Sequence, residues 1–356
     1  MSFFDLIYRD TVLRFILQPG ADVAGALAFL STHFRVENVD ADVTPMATLE
    51  VAPLAPPPAD VELWESIYVR RSASEFFTIP ARRRVEGNAE FVHCTKTGTQ
   101  FNFNRSRSTV HVSVGAAGQL DLVELIRDVV LKDQENRGGA VLHGIAAERD
   151  GQSVLITGLK GAGKSTVLLE LVEHHGYRIM SGDKTLAVRD SDGRTVLVGW
   201  PDYPHLGYAT ISKYSGLKGI AGLSDDFVPE PGFEFSPIGK FAVNPAGFRE
   251  RFPSADRGQE VPAHAILFPG IGAADETTFE LVSESAEVLR RLRELDESPF
   301  TGKHSGWTGF VQSRRDEHAA EREALLRELS TASAWDVRGP GDITEIPWAR
   351  AGAALD

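Results

Sequence analysis

The chain has 356 residues, 42% of them apolar and 24% charged, which is long enough for two domains and excludes a disordered chain. A net charge of −13 argues against nucleic acid or an anionic membrane surface as the main partner. The lone Cys94 excludes an internal disulfide and reads as a buried spectator. In chain order, residues 6–17 and 23–34 are apolar segments, the first fitting either a helix or an early strand, and 36–50 is rich in β-branched residues. Pro53, Pro56, Pro57 and Pro58 then interrupt both helix and sheet. From 64 to 114 short alternating runs (67–69, 90–94, 100–103, 109–114) are separated by turn residues at Gly87-Asn88 and Thr97-Gly98, which predicts an antiparallel sheet. The cluster Arg82-Arg83-Arg84 reads as a solvated edge rather than a binding patch. Leu122, Leu125, Ile126, Val129 and Val130 recur at helical spacing and predict a helix over 120–132, stopped at Gly138-Gly139.

Residues 140–151 read as two strands around a turn at Asp150-Gly151, feeding into the apolar strand 154–157. That strand runs into Gly158, Leu159, Lys160, Gly161, Ala162, Gly163, Lys164, Ser165 and Thr166, and an amphipathic helix follows over 167–174. Gly158, Gly163, Lys164 and Ser165 fill the pattern G-x-x-x-x-G-K-[ST] in a strand–loop–helix setting. Glycines let successive backbone N–H groups turn toward one point, and the new helix adds its positive end. Lys164 can reach the β- and γ-phosphates, and the Ser165 hydroxyl can sit on Mg²⁺. The run 158–166 is therefore expected to bind a nucleoside triphosphate, ATP with Mg²⁺.

The helix ends at His174-His175-Gly176, and 177–180 is the next strand, leading to Ser181-Gly182-Asp183-Lys184. Asp183 is placed where open α/β sheets gather their ligands, and a carboxylate there can hold Mg²⁺ or take the proton of an attacking hydroxyl. Residues 185–188 and 195–198 predict a hairpin, 200–237 a long loop of the kind that serves as a lid, and 263–268 an apolar strand. Helices are predicted over 284–295 and 316–329, followed by a strand at 335–337 and a polar tail. His143, at the end of an apolar strand, is a candidate helper of Asp183, although such a histidine is more often a core residue. Lys240, with Arg249 and Arg251 behind it, could neutralise a moving phosphoryl group or pair with surface acids. No metal-ligand spacing surrounds His174 and His175.

In order and spacing, His143-Gly144, a hairpin, the glycine-rich loop, a helix and a strand ending in aspartate resemble the catalytic domain of HPr kinase/phosphorylase. The resemblance covers residues 120 to 345 and is strongest from 139 to 188. It is closer still to the HPr-kinase-related proteins encoded beside bacterial peptide and natural-product biosynthesis genes. It implies an α/β fold with a P-loop kinase core of HPr kinase/PEP-carboxykinase type (116–345); the β-rich α+β domain expected before it (1–115) has no clear counterpart in HPr kinase, and a polar tail (346–356) follows. It also implies that His143 and Asp183 belong to the active site. Where HPr kinases carry an Asp-Asp pair, this chain has Gly182-Asp183, so the resemblance does not extend to the reverse phosphorylase reaction. The segment 198–208 resembles the proline-containing loop of the related kinases and is expected to border the acceptor.

The expected activity is transfer of the γ-phosphoryl group of ATP to a hydroxyl of a peptide, a protein or a small molecule. Lys164 with the backbone of 158–166 would hold the phosphates, Ser165 and Asp183 the Mg²⁺, Asp183 and His143 the acceptor hydroxyl, and Lys240 or Arg249 the developing charge. The alternative is a nucleotide-dependent module that hydrolyses slowly and phosphorylates nothing. The N-terminal region lacks the basic and apolar stretches of a signal peptide, and no apolar run approaches the roughly 18 residues of a membrane span, so a cytoplasmic protein is expected, with homo-oligomers allowed.

Overall fold

The computed structural model describes residues 1–72, 75, 77–230, 240–301 and 307–348. Positions 231–237 of the expected long loop and 349–356 of the expected tail lie outside the described residues. The chain divides into two compact units, one of Met1–Gly138 with Ser298–His318, the other of Gly139–Glu297 with Ala319–Asp356. By compactness the helix expected to open the catalytic domain at 116 belongs to the first unit.

The first unit carries strands β1 (Ser2–Tyr8) and β2 (Thr11–Leu17), helix α1 (Ala24–Leu30), strands β3 (Arg35–Glu37), β4 (Ala47–Pro53), β5 (Glu65–Arg70), β6 (Ile79–Glu86), β7 (Ala89–Cys94), β8 (Gln100–Asn104) and β9 (Thr109–Val114), and helix α2 (Gln119–Asn136). Residues 6–17 thus form a hairpin rather than a helix, with Arg9 at φ 50 in its two-residue turn. The nine strands make one sheet in the order β3-β1-β2-β4-β9-β8-β7-β6-β5, with β4 parallel to both β2 and β9. Alternation places Phe101, Phe103, Val110 and Val112 on the buried face. The three arginines of β6 are all paired: Arg82 with Glu62, Arg83 with buried Glu90, and Arg84 with Asp60.

Helix α2 is buried around most of its circumference, polar residues included. Each polar group needs a partner there. Thr11 donates to Asp133 at 2.6 Å, Lys132 pairs with Asp128 at 2.8 Å, and Ser298 donates to Glu135 at 2.7 Å. Thr308 and Gln312 supply further partners, their carbonyls accepting from Lys132 at 3.0 Å and from Asn136 at 2.8 Å.

The second unit contains β10 (Ala140–Arg149), β11 (Gln152–Thr157), α3 (Lys164–His175), β12 (Arg178–Ile179), β13 (Lys184–Arg189), β14 (Thr195–Gly199), β15 (His205–Leu206), α4 (Tyr208–Lys213), α5 (Leu217–Ile220), β16 (Phe241–Ala242), α6 (Pro245–Arg251), β17 (Glu260–Ile271), β18 (Thr278–Leu281), α7 (Ser285–Glu294), α8 (Ala319–Leu329) and β19 (Ser333–Gly339). Pairing runs β11-β10-β13-β14-β17, and β17 pairs back onto β11, so five strands close on themselves while β19 and β18 extend from β17. Only β11–β17 and β17–β19 are parallel among these pairs. The architecture is mixed α/β with large sheets.

Strand alternation decides the packing. Ile145, Val154, Ile156, Ala265 and Leu267 face α3 and the α4–α6 segment. Ala146, Leu155, Ile266 and Phe268 face the other way, against α7 and α8. Helix α3 contributes five buried aliphatic side chains, Val167, Leu168, Leu169, Leu171 and Val172, each worth about 1.5–3 kcal/mol on burial. That anchorage offsets the conformational cost of the glycine-rich segment before it.

Candidate functional site

Strand β11 is buried to its end at Thr157, and the chain then loops outward, leaving Leu159, Lys160 and Gly161 exposed, before α3 begins at Lys164. The loop is held from behind: Ile271 N–H donates to the Ala162 carbonyl at 2.9 Å. Gly163 caps the helix at φ 96, and a Cβ there would lie 2.3 Å from Ile271 Cγ1. No other residue fits that position without moving β17. The Val167 N–H closes the first turn on the Gly163 carbonyl at 3.1 Å. The N–H groups before Val167 have no partner in the helix ladder and form an anion-seeking end. Of the two hydroxyls in that turn, Thr166 is engaged by Thr210 of α4 at 2.9 Å, and Ser165 sits half-buried beside Lys164.

The Lys164 ammonium folds back over the loop. It donates to the carbonyls of Gly158 (2.8 Å) and Leu159 (3.2 Å) and meets His143 Nε2 at 2.8 Å. His143 reaches this point from β10, where its carbonyl accepts from Thr157 Oγ1 at 2.8 Å. Its Nδ1 lies 3.1 Å from Glu297 Oε1, and the other Glu297 oxygen pairs with Lys184. Burial pulls Glu297 toward the neutral acid, but the bonds from His143 and Lys184 prevail and hold it well below the usual carboxylate range. Lys184 is committed to this acid.

Asp183 lies half-buried between β12 and β13, its carbonyl accepting from Gly144 N–H at 3.0 Å. The strand before it, expected over 177–180, is only Arg178–Ile179 and pairs antiparallel to β10. Burial pushes the Lys164 ammonium down to about 8, against the pull of Asp183 and with a push from Lys240. Lys240 is lowered in the same way, by burial and by the charge of Lys160, while Asp183 and Asp202 act in the opposite sense. Lys164 and Lys240 thus both feel the charge of Asp183, and Lys160 acts on Lys240.

Asp202 was missed by sequence reasoning. Pairing of Thr185 with Gly199 in the β13–β14 hairpin lays the residues after β14 beside those before β13. A Cβ on Gly182 would stand 3.7 Å from Asp202 Oδ2, so a carboxylate from another segment lies where Gly182 has no side chain. Glu297 was missed too. Its backbone N–H donates to the Val141 carbonyl at 2.7 Å and Leu295 accepts from His143 N–H at 2.8 Å, a pairing that no local pattern announces. Arg249 lies on α6, where burial pushes its guanidinium down to about 10. Arg251 pairs with Glu173 of α3 at 2.6 Å. His175 bonds the Ile343 carbonyl at 2.7 Å, at a helix end closed by Gly176. Among the described residues no cluster of three or more His, Cys, Asp or Glu could hold a metal, and no helix is long and apolar enough to cross a membrane.

No family model matches the chain. A segment of 85 residues is 31% identical to HPr kinase/phosphorylase of Clostridium botulinum strain Eklund 17B / Type B, and equally to that of strain Alaska E43 / Type E3. The match covers 22% of this chain and spans 27% of the length of each relative. That is a distant, partial similarity to a kinase.

Proposed function

We propose that this chain is an ATP- and Mg²⁺-dependent kinase that transfers the γ-phosphoryl group to a hydroxyl of a peptide, a protein or a small molecule. The observation that carries the proposal is the glycine-rich loop itself: Gly163, with no room for a Cβ, turns the chain into α3, and the Lys164 ammonium folds over the Gly158 and Leu159 carbonyls at 2.8 and 3.2 Å. The fit to a triphosphate is local: the Gly163 position is a cradle that any Cβ would fill, and the helix end behind it offers unpaired N–H groups. Backbone amides of 158–165 would bind phosphate oxygens, and Lys164 would exchange a loop carbonyl for one of them. Ser165 and Asp183, with Asp202 alongside, would hold the Mg²⁺, which when bound supplies the positive charge that neutralises the phosphate tail. Two carboxylates and a hydroxyl suit a cation that keeps several waters.

Asp183 also orients the acceptor hydroxyl, while Lys240, backed by Lys160, offsets charge on the group in transit. Most of the rate gain comes from this positioning, since phosphoryl transfer asks little covalent chemistry of the protein. His143 works through Lys164 here rather than on the acceptor.

Calorimetry with Mg·AMP-PNP, and γ-labelled ATP incubated with cell extract followed by mass spectrometry of the product, test the proposal. A labelled hydroxyl acceptor is expected, with Lys164→Met abolishing transfer. Near-full turnover by Lys164→Met removes the assignment of the loop. Label released only to water, across peptide and metabolite pools, leaves a nucleotide-dependent switch in place of a kinase.

A further inference from the structure

An ammonium group has three N–H donors and no acceptor. Lys164 spends its donors on Gly158 O, Leu159 O and His143 Nε2, so Nε2 must present a lone pair. The proton of the ring then sits on Nδ1 and points at Glu297 Oε1, 3.1 Å away. The hydrogen-bond network assigns this tautomer. Glu297 is in turn held from two sides. Its backbone is bonded to β10, where Leu142 and Asp296 form an antiparallel bridge, and its second oxygen pairs with Lys184, the residue opposite His143 in the β10–β13 ladder. A relay of fixed parts thus runs from Glu297 through the imidazole to the lysine of the glycine-rich loop.

We infer that Glu297 is a positioning residue: by accepting the Nδ1 proton of His143 it keeps Nε2 as an acceptor, and so fixes the Lys164 ammonium at the mouth of the loop. Without it the ring is free to turn to the other tautomer, whose Nε2–H would confront the ammonium. Its meaning for phosphoryl transfer rests on the proposed function. Backbone amides supply most ground-state grip on a phosphate, whereas a correctly placed ammonium counts most as charge moves in the transition state. Displacing Lys164 therefore lowers kcat more than it weakens binding.

Two measurements on the full chain decide this. The first is nitrogen NMR of the histidine ring without nucleotide. His143 is expected as the Nδ1–H tautomer in the unaltered protein, shifted toward Nε2–H in Glu297→Ala, and restored in Glu297→Gln, whose amide oxygen still accepts. The second is Mg·ATP turnover and Mg·AMP-PNP binding. Glu297→Ala should lose roughly tenfold or more in kcat with the dissociation constant within about threefold, and Glu297→Gln should recover most of that loss. An Nε2–H tautomer in the unaltered protein, or Glu297→Ala with kcat within threefold of it, overturns the inference. The NMR measurement needs no nucleotide. Failure of the unaltered chain to bind Mg·ATP would therefore sink the kinase proposal while the tautomer result still judges the role of Glu297.

Discussion

At Gly163 a single hydrogen in place of a methyl keeps the loop against β17. The backbone there is left-handed and Ile271 fills the space a side chain would need. Gly163→Ala imposes both backbone strain and a collision. With strain of this type costing about 1–3 kcal/mol, nucleotide affinity should fall by roughly tenfold or more, read as loss of the ATP-induced thermal shift. Ile271→Ala in the same chain should recover little of the loss, because the Cβ of residue 271, 2.4 Å from the added methyl, and the positive φ both remain. Residues of this loop were legible because their chemistry depends on spacing along the chain: Gly163, Lys164 and Ser165 are consecutive. Asp202 and Glu297 were not, since each reaches its place through strand pairing with residues remote in sequence.

Helix α3 couples the loop to the second unit's core through one buried acid. Glu170, 2% exposed, accepts from Tyr214 Oη at 2.5 Å, Lys213 Nζ at 2.9 Å and the Ile343 N–H at 3.1 Å. Burial, and then the bond to Glu170, raise the Tyr214 pKa, so the phenol remains a donor at ordinary pH. Glu170→Ala would strand the Tyr214 hydroxyl and the Ile343 N–H, Lys213 keeping its pair with Asp342, and should destabilise the protein by about 3 kcal/mol in chemical denaturation, with Glu170→Gln losing less. A loss under about 1 kcal/mol would mean that this node does not hold α3. The helix itself was readable over 167–174 from its apolar spacing and the glycine after it, and it spans Lys164–His175. The acid on its buried ridge was not singled out, because a glutamate in a helix normally faces water. The segment 6–17 shows the opposite case. Its apolar residues suit either period, and pairing of β1 with β2 and β3, and of β2 with β4, settled it as a hairpin.

For the whole molecule, the balance of buried charge sets how stability responds to pH. Burial pushes the Asp128 carboxyl up to about 6 from 3.8, outweighing the pull of Lys132. Between those values the folded chain binds more protons than the unfolded one, so this residue makes stability fall as pH rises from about 4 to about 6. Asp128→Asn should remove that slope, measured as guanidinium midpoints across the range; an unchanged slope would place its origin elsewhere. The sequence by itself determined the strand–loop–helix with its lysine and hydroxyl, the antiparallel sheet of residues 64–114, and the absence of disulfides, because each follows from neighbouring residues and short periods. Only the tertiary structure decided that five strands close into a ring, that 298–318 belongs with the first unit, that Asp202 lies beside Gly182, and that Glu297 meets His143. Those outcomes depend on which strands pair and which buried polar groups need partners, and such choices are made between segments far apart in the chain, where no local pattern records them.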